Sequence, residues 1–140
     1  MNHHHWTWRY SEHLPSDARL GRQFVETVLD QLSQNGWSKE NIYAVHLSLE
    51  EAMTNCIKHG NKHDECKSVR IECRLSPTRF WIELEDEGCG FDPENVPDCT
   101  AEENLDKPSG RGLLLMKHFM TRIEYNGSGN RVMMEKVLDE

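Results

Sequence analysis

The chain has 140 residues, 36% hydrophobic and 29% charged, with a formal net charge of −8 from 16 Lys plus Arg against 24 Asp plus Glu. That size supports one domain with a real core, and the composition excludes a disordered segment. The acidic balance disfavours direct nucleic-acid binding, which needs clustered cations, but it admits a single nucleotide whose phosphates are held by backbone N–H groups and a metal.

No apolar run approaches the length of a membrane span, and Met1-Asn2-His3-His4-His5-Trp6 lacks the positive end and apolar core of a secretion signal. A cytoplasmic location without membrane contact is expected. Five scattered cysteines, an odd number with no Cys-x-x-Cys pair, fit reduced thiols. His59 and His63 stand four apart without the Glu of a zinc-protease motif, which argues against a site built from histidines.

In chain order, residues 6–12 alternate Trp6, Trp8 and Tyr10 with polar residues, the period of an edge strand; large aromatics there pack inward or meet a second copy. A first helix is expected from Ser16 or Asp17, with Leu20, Phe24, Val28 and Leu32 on one face and Asn35-Gly36 at its end. Ser38 caps a second, which buries Val45, Leu49, Ala52, Cys56 and Ile57 and ends at Gly60-Asn61. Ser68 to Leu75 and Arg79 to Glu85 alternate with period two around a Ser76-Pro77-Thr78 turn, which predicts a hairpin. The polar stretch 91–109 has three prolines and no period, and loops of that length are usually functional. A third helix starts at Gly110 or Gly112 and runs to about Phe119; Thr121 to Tyr125 and Arg131 to Val137 form a closing hairpin. The expected fold is α+β: a two-layer sandwich of three main helices on a mixed, largely antiparallel sheet.

Three short segments carry chemistry. Glu51 and Asn55 share a helix face at i,i+4, where the amide offers a neutral oxygen to Mg²⁺ and the carboxylate accepts a proton; Glu50 competes with Glu51 for that role. Asp86-Glu87-Gly88-Cys89-Gly90 places a carboxylate at a strand end before a tight glycine turn. Ser109-Gly110-Arg111-Gly112 precedes an apolar helix, so its N–H groups can cradle phosphate with Arg111 adding charge. Neither a Rossmann fingerprint nor a Walker phosphate loop is present.

In this order the three segments closely resemble the GHKL (Bergerat-fold) ATPase and kinase superfamily. Residues 49–60 resemble its helical box, Asp86 to Phe91 its first glycine box, and Gly110 to Leu113 its second. The Glu-Ala-x-x-Asn-x-x-x-His-Gly form looks most like the bacterial anti-sigma-factor serine/threonine kinases, and the resemblance spans about residues 16–138 of one domain covering 1–140. It implies ATP and Mg²⁺ as cofactors. It implies Glu51 as general base, Asn55 as the Mg²⁺ ligand, and Asp86 as acceptor of the adenine amino group. Gly88 and Gly90 then form the turn beneath the base, Gly110, Arg111 and Gly112 meet phosphate, and residues 92–109 form a lid. The implied partners are a small anti-anti-sigma protein as substrate and a sigma factor, in a homodimer. A non-catalytic ATP-binding module and a detached histidine-kinase domain are the alternatives. Between Glu83 and Asp106 stand ten acidic residues and no Lys or Arg, a field expected to oppose ATP unless it is offset.

Overall fold

The computed structural model describes residues 6–62, 64, 66–88, 116–126 and 130–138. Five strands form one sheet: β1 (Trp8–Pro15), β2 (Ser68–Leu75), β3 (Arg79–Glu85), β4 (Arg122–Tyr125) and β5 (Arg131–Val137), in the order β1-β2-β3-β5-β4. Every pairing among the described residues is antiparallel. Helix α1 (Ala18–Gln34) and helix α2 (Lys39–Thr54) pack on one face of it. The third helix, α3, is described over 116–119, where Met116 is fully buried. The expected α+β sandwich of three helices on an antiparallel sheet is what the chain forms.

Local chemistry explains the boundaries. Asp17 caps α1 by accepting the N–H of Arg19 at 2.7 Å and of Leu20 at 3.2 Å, and Ser38 caps α2 by accepting the Asn41 N–H at 3.2 Å. β1 runs three residues past the expected end, because His13, Leu14 and Pro15 continue the pairing with Arg70, Val69 and Ser68. A proline is tolerated there because β1 is an edge strand and loses no second ladder. Tyr10 lies 4.8 Å from Phe24 of α1 and Trp8 stacks on Tyr10 at 5.9 Å, so these edge aromatics pack inward.

Strand alternation sorts the sheet into two faces. Inner rows such as Cys73–Ile82–Met134–Ile123 and Ile71–Leu84–Val132–Tyr125 meet the helices, with Val28, Leu32, Val45, Leu49 and Ala52 at most 0% exposed beneath them. The outer face is ionic. Arg70 holds Glu83 at 2.9 Å and Glu85 at 3.1 Å, and Arg79 and Arg122 both hold the buried Glu135. Glu83 and Glu85 belong to the acidic run noted in the sequence, yet both are paired with Arg70 on the sheet, and Glu83 also lies 3.8 Å from Arg131. Part of their charge is thereby offset in the field expected to oppose a nucleotide. Of the other eight, Asp86 and Glu87 are described and the rest fall between 92 and 106, outside the described residues.

Candidate functional site

Helix α2 does not stop at Thr54. It continues as a π-helical turn, Asn55–Gly60, closed by the Asn61 N–H donating to the Cys56 carbonyl at 2.8 Å. Such wide turns are rare and recur at functional sites. Here the turn buries both Cys56 and Ile57, sending Ile57 toward Gly21 of α1 while Cys56 reaches Asp86 at the end of β3. The helix and turn together carry Glu51 and Asn55, both half-buried. Glu50 is turned out to solvent, 3.4 Å from His46 Nε2. The two glutamates thus differ in exposure, while both line the groove between α1 and α2.

Asp86 is buried although ionisable. Its backbone N–H donates to the Asn130 carbonyl at 2.9 Å and its carbonyl accepts from Asn130 Nδ2 at 3.1 Å, which ties the strand end to β5. Its carboxylate accepts the Gly88 N–H at 2.8 Å. Burial pushes the carboxyl up to about 6; the Gly88 N–H and the Cys56 thiol, which also donates to it, pull in the opposite direction. Burial likewise holds the Cys56 thiol well above its ordinary value, reinforced by the negative Asp86 beside it.

The turn after Asp86 is anchored on both sides. Buried Asn61 accepts the Glu87 N–H at 2.7 Å while donating to Ser16 Oγ at 2.6 Å and the Ser68 carbonyl at 3.0 Å. The Glu87 carboxylate accepts the N–H and hydroxyl of Ser68 at 2.6 and 3.1 Å, which lowers its pKa. Gly60 and Gly88 let the two backbones meet. A Cβ on Gly60 would collide with the Asp86 carboxylate, and one on Gly88 with the Gly60 carbonyl.

Tyr125, on the inner face of β4, joins the two halves. Its hydroxyl is buried, and burial raises its pKa first, with the charges of Cys56, Glu51 and Asp86 adding to that and the Asn55 side chain opposing it. One phenol therefore senses Glu51, Asn55, Cys56 and Asp86 together. Sequence reasoning missed Tyr125, Cys56 and Asn61 as site residues. Period two at 121–125 was the available signal, since it puts Tyr125 inward. On its other side, Glu51 lines a groove of about 390 Å³ between α1 and α2, bordered by Arg22 and Lys58. Gly90, Gly110, Arg111, Gly112, the segment 92–109 and His63 lie outside the described residues, as does the side chain of His59.

A helix carrying Glu and Asn above a buried Asp, joined by a glycine contact across an antiparallel sheet, agrees with the match of residues 13–136 to the histidine kinase-like ATPase domain. The chain belongs to that family. Among histidine kinase-like ATPases it is similar to an anti-sigma F factor of Clostridium perfringens, 31% identical over 107 residues covering 71% of this chain and 75% of the relative. It is also similar to the serine-protein kinase RsbW of Listeria monocytogenes, 26% identical over 133 residues, 90% of this chain and 83% of the relative. A third similarity is to the serine/threonine-protein kinase BtrW of Bordetella bronchiseptica, 26% identical and covering 64% of each chain. Family membership implies use of ATP.

The donors present fit such a ligand. Asp86 is a buried carboxylate with an oxygen to offer an exocyclic amine, and the Asn55 side chain carries a hard amide oxygen of the kind Mg²⁺ takes. Among the described residues no group of three or more His, Cys, Asp or Glu could hold a metal ion by itself. Mg²⁺ normally sits on one or two protein oxygens plus phosphates, so a lone Asn beside a nucleotide suits it. No helix among the described residues is long and apolar enough to cross a membrane.

Proposed function

We propose that this chain is an ATP-dependent serine/threonine protein kinase that acts as an anti-sigma factor, phosphorylating a small anti-anti-sigma protein. The observation that carries the reading is the placement of half-buried Glu51 and Asn55 on α2 and its π-helical turn, whose end at Gly60 packs against the buried Asp86 carboxylate. Asp86 accepts the adenine amino group, with Gly88 and Gly90 turning beneath the base. Asn55 gives its amide oxygen to Mg²⁺, and Gly110, Arg111 and Gly112 meet the phosphates. Mg²⁺ supplies charge neutralisation at the phosphates. Glu51 takes the proton of the substrate hydroxyl as its oxygen bonds to the γ-phosphorus and the bond to the ADP oxygen breaks. Positioning and charge stabilisation provide most of the rate. The groove between α1 and α2, lined by Glu51 together with Glu50, supports this reading as a place where a protein hydroxyl would approach.

The relatives named as an anti-sigma factor and as serine-protein kinases support the substrate class and a sigma factor as second partner. Residues 92–109 act as the lid of a single domain spanning 1–140. The homodimer contact rests on the outer edge of β1, since Trp8 and Tyr10 are spent on the core.

Calorimetry of Mg-ATP with the wild type, Asp86→Asn and Asn55→Ala tests the site. Binding should be lost in Asp86→Asn and become insensitive to Mg²⁺ in Asn55→Ala. Acid-stable phosphoserine on the anti-anti-sigma protein, lost in Glu51→Gln, completes the case. Binding without phosphoryl transfer would make the chain a non-catalytic nucleotide module, and acid-labile phosphate would make it a histidine kinase domain.

A further inference from the structure

Four parts of the chain meet at one side chain. Asn61 follows the π-helical turn of α2 and is fully buried. Its Nδ2 donates to Ser16 Oγ at 2.6 Å, next to the Asp17 cap of α1, and to the Ser68 carbonyl at 3.0 Å, where β2 begins. Its Oδ1 accepts the Glu87 N–H at 2.7 Å, in the turn that follows β3. Its own N–H closes the π-helical turn on the Cys56 carbonyl at 2.8 Å.

These partners leave the carboxamide one orientation. A carbonyl only accepts and a backbone N–H only donates, so the nitrogen end faces Ser68 and the oxygen end faces Glu87. An ionised Asp would set an oxygen against the Ser68 carbonyl, and Leu would answer neither backbone group. The Glu87 N–H is the contact of most consequence. It stands between Asp86, whose carboxylate accepts the Gly88 N–H at 2.8 Å, and Gly88, whose backbone lies too near the Gly60 carbonyl to admit a Cβ. Glu87 itself is exposed, so its backbone is held inward by a buried acceptor and not by burial of its own side chain.

We propose that Asn61 is a positioning residue for base recognition: by holding the Glu87 N–H it fixes the turn that aims the Asp86 carboxylate, and so sets the preference for a nucleobase that presents an exocyclic amine. This rests on the nucleotide reading above. Asn61 itself touches no ligand, because Ser16 and Ser68 take both of its Nδ2 protons. It fixes the turn before the base arrives, so the acceptor does not have to reorganise on binding.

Two measurements test it. The first needs neither ligand nor variant: in amide hydrogen exchange of the whole chain, the Glu87 N–H should be protected at least about tenfold although the residue is exposed. Exchange at the unprotected rate overturns the proposal. The second is calorimetry of ATP against purine riboside triphosphate, which lacks the amine, in the wild type, Asn61→Ser and Ser16→Ala. Asn61→Ser withdraws the acceptor from the Glu87 N–H. Its preference for ATP should fall about tenfold, while affinity for the analogue stays within about twofold. Ser16→Ala removes one partner of Nδ2 but leaves the Ser68 carbonyl to orient the amide, so its preference should match the wild type. A purely structural role would weaken both nucleotides equally in Asn61→Ser, and that outcome overturns the proposal. An equal loss of preference in Ser16→Ala overturns it too. A wild type that binds no nucleotide defeats the functional reading and the base-recognition role with it, whereas a wild type that prefers ATP with Glu87 unprotected defeats the role of Asn61 alone.

Discussion

Asp86 shows how a functional residue is held at a cost. Its carboxyl is raised from 3.8 to about 6, chiefly by burial. A folded-state value above the unfolded one means that the folded protein takes the proton first. Stability therefore rises as pH falls through about 6 and levels off below the unfolded value near 3.8. At neutral pH the ionised group opposes folding, by roughly 3 kcal/mol at most on a shift of this size. Asp86→Asn removes the charge while keeping an oxygen for the Gly88 N–H. We expect the ligand-free variant to be more stable than the wild type at pH 7.5, by about 1–2 kcal/mol in urea titration, with the gain vanishing near pH 4. The same residue sets a pH dependence for ligand. The ionised carboxylate is the better acceptor, so nucleotide affinity should decline as pH falls through about 6, toward about tenfold per unit. A less stable Asp86→Asn at pH 7.5 would mean that the buried carboxylate is not under electrostatic stress.

At the scale of elements, the site depends on two backbones that touch. The π-helical end of α2 and the turn after β3 meet at Gly60 and Gly88, with Asn61 pinning the Glu87 N–H beside them. Side chains at either glycine have nowhere to go, because what they would strike is a buried carboxylate or a backbone carbonyl and not a flexible tip. Gly60→Ala should cost about 1–3 kcal/mol, the usual range for overpacking. It should also displace Asp86 and abolish nucleotide binding while circular dichroism still reports a folded chain. Wild-type affinity in Gly60→Ala would show that Asp86 can shift freely. This contact explains why the Gly60 that sequence treats as a helix stop has a second role. A C-cap signal is local and readable, but the approach of β3 to that helix end is tertiary.

Across the whole molecule, what was legible was what is local. Asp17 and Ser38 as caps, the β2–β3 hairpin, and the inward faces of β2 and β3 follow from neighbours within a few residues. Glu51, Asn55 and Asp86 stood out because their spacing and glycines are sequence features. Tyr125 did not, because periodicity says which face a residue takes but not whose charges it meets, and those on Tyr125 come from Glu51, Cys56 and Asp86 far away in the chain. The partition of the acidic run was hidden for the same reason: Arg70, which pairs with Glu83 and Glu85, comes from another strand. The far end of that outer face has the sharper dependence. Glu135 is 5% exposed and is answered by Arg79 from β3 and Arg122 from β4, so three strands share one buried charge. Arg79 is the less exposed partner and donates through Nε at 2.6 Å, whereas the Arg122 side chain is half in solvent and divides itself between Glu135 and Glu124. Arg79→Met should thus leave Glu135 poorly compensated and cost about 2–3 kcal/mol. Arg122→Met should cost less than about 1 kcal/mol, because a solvent-screened partner contributes little. Equal losses in the two variants would mean that Glu135 is screened by water in spite of its burial.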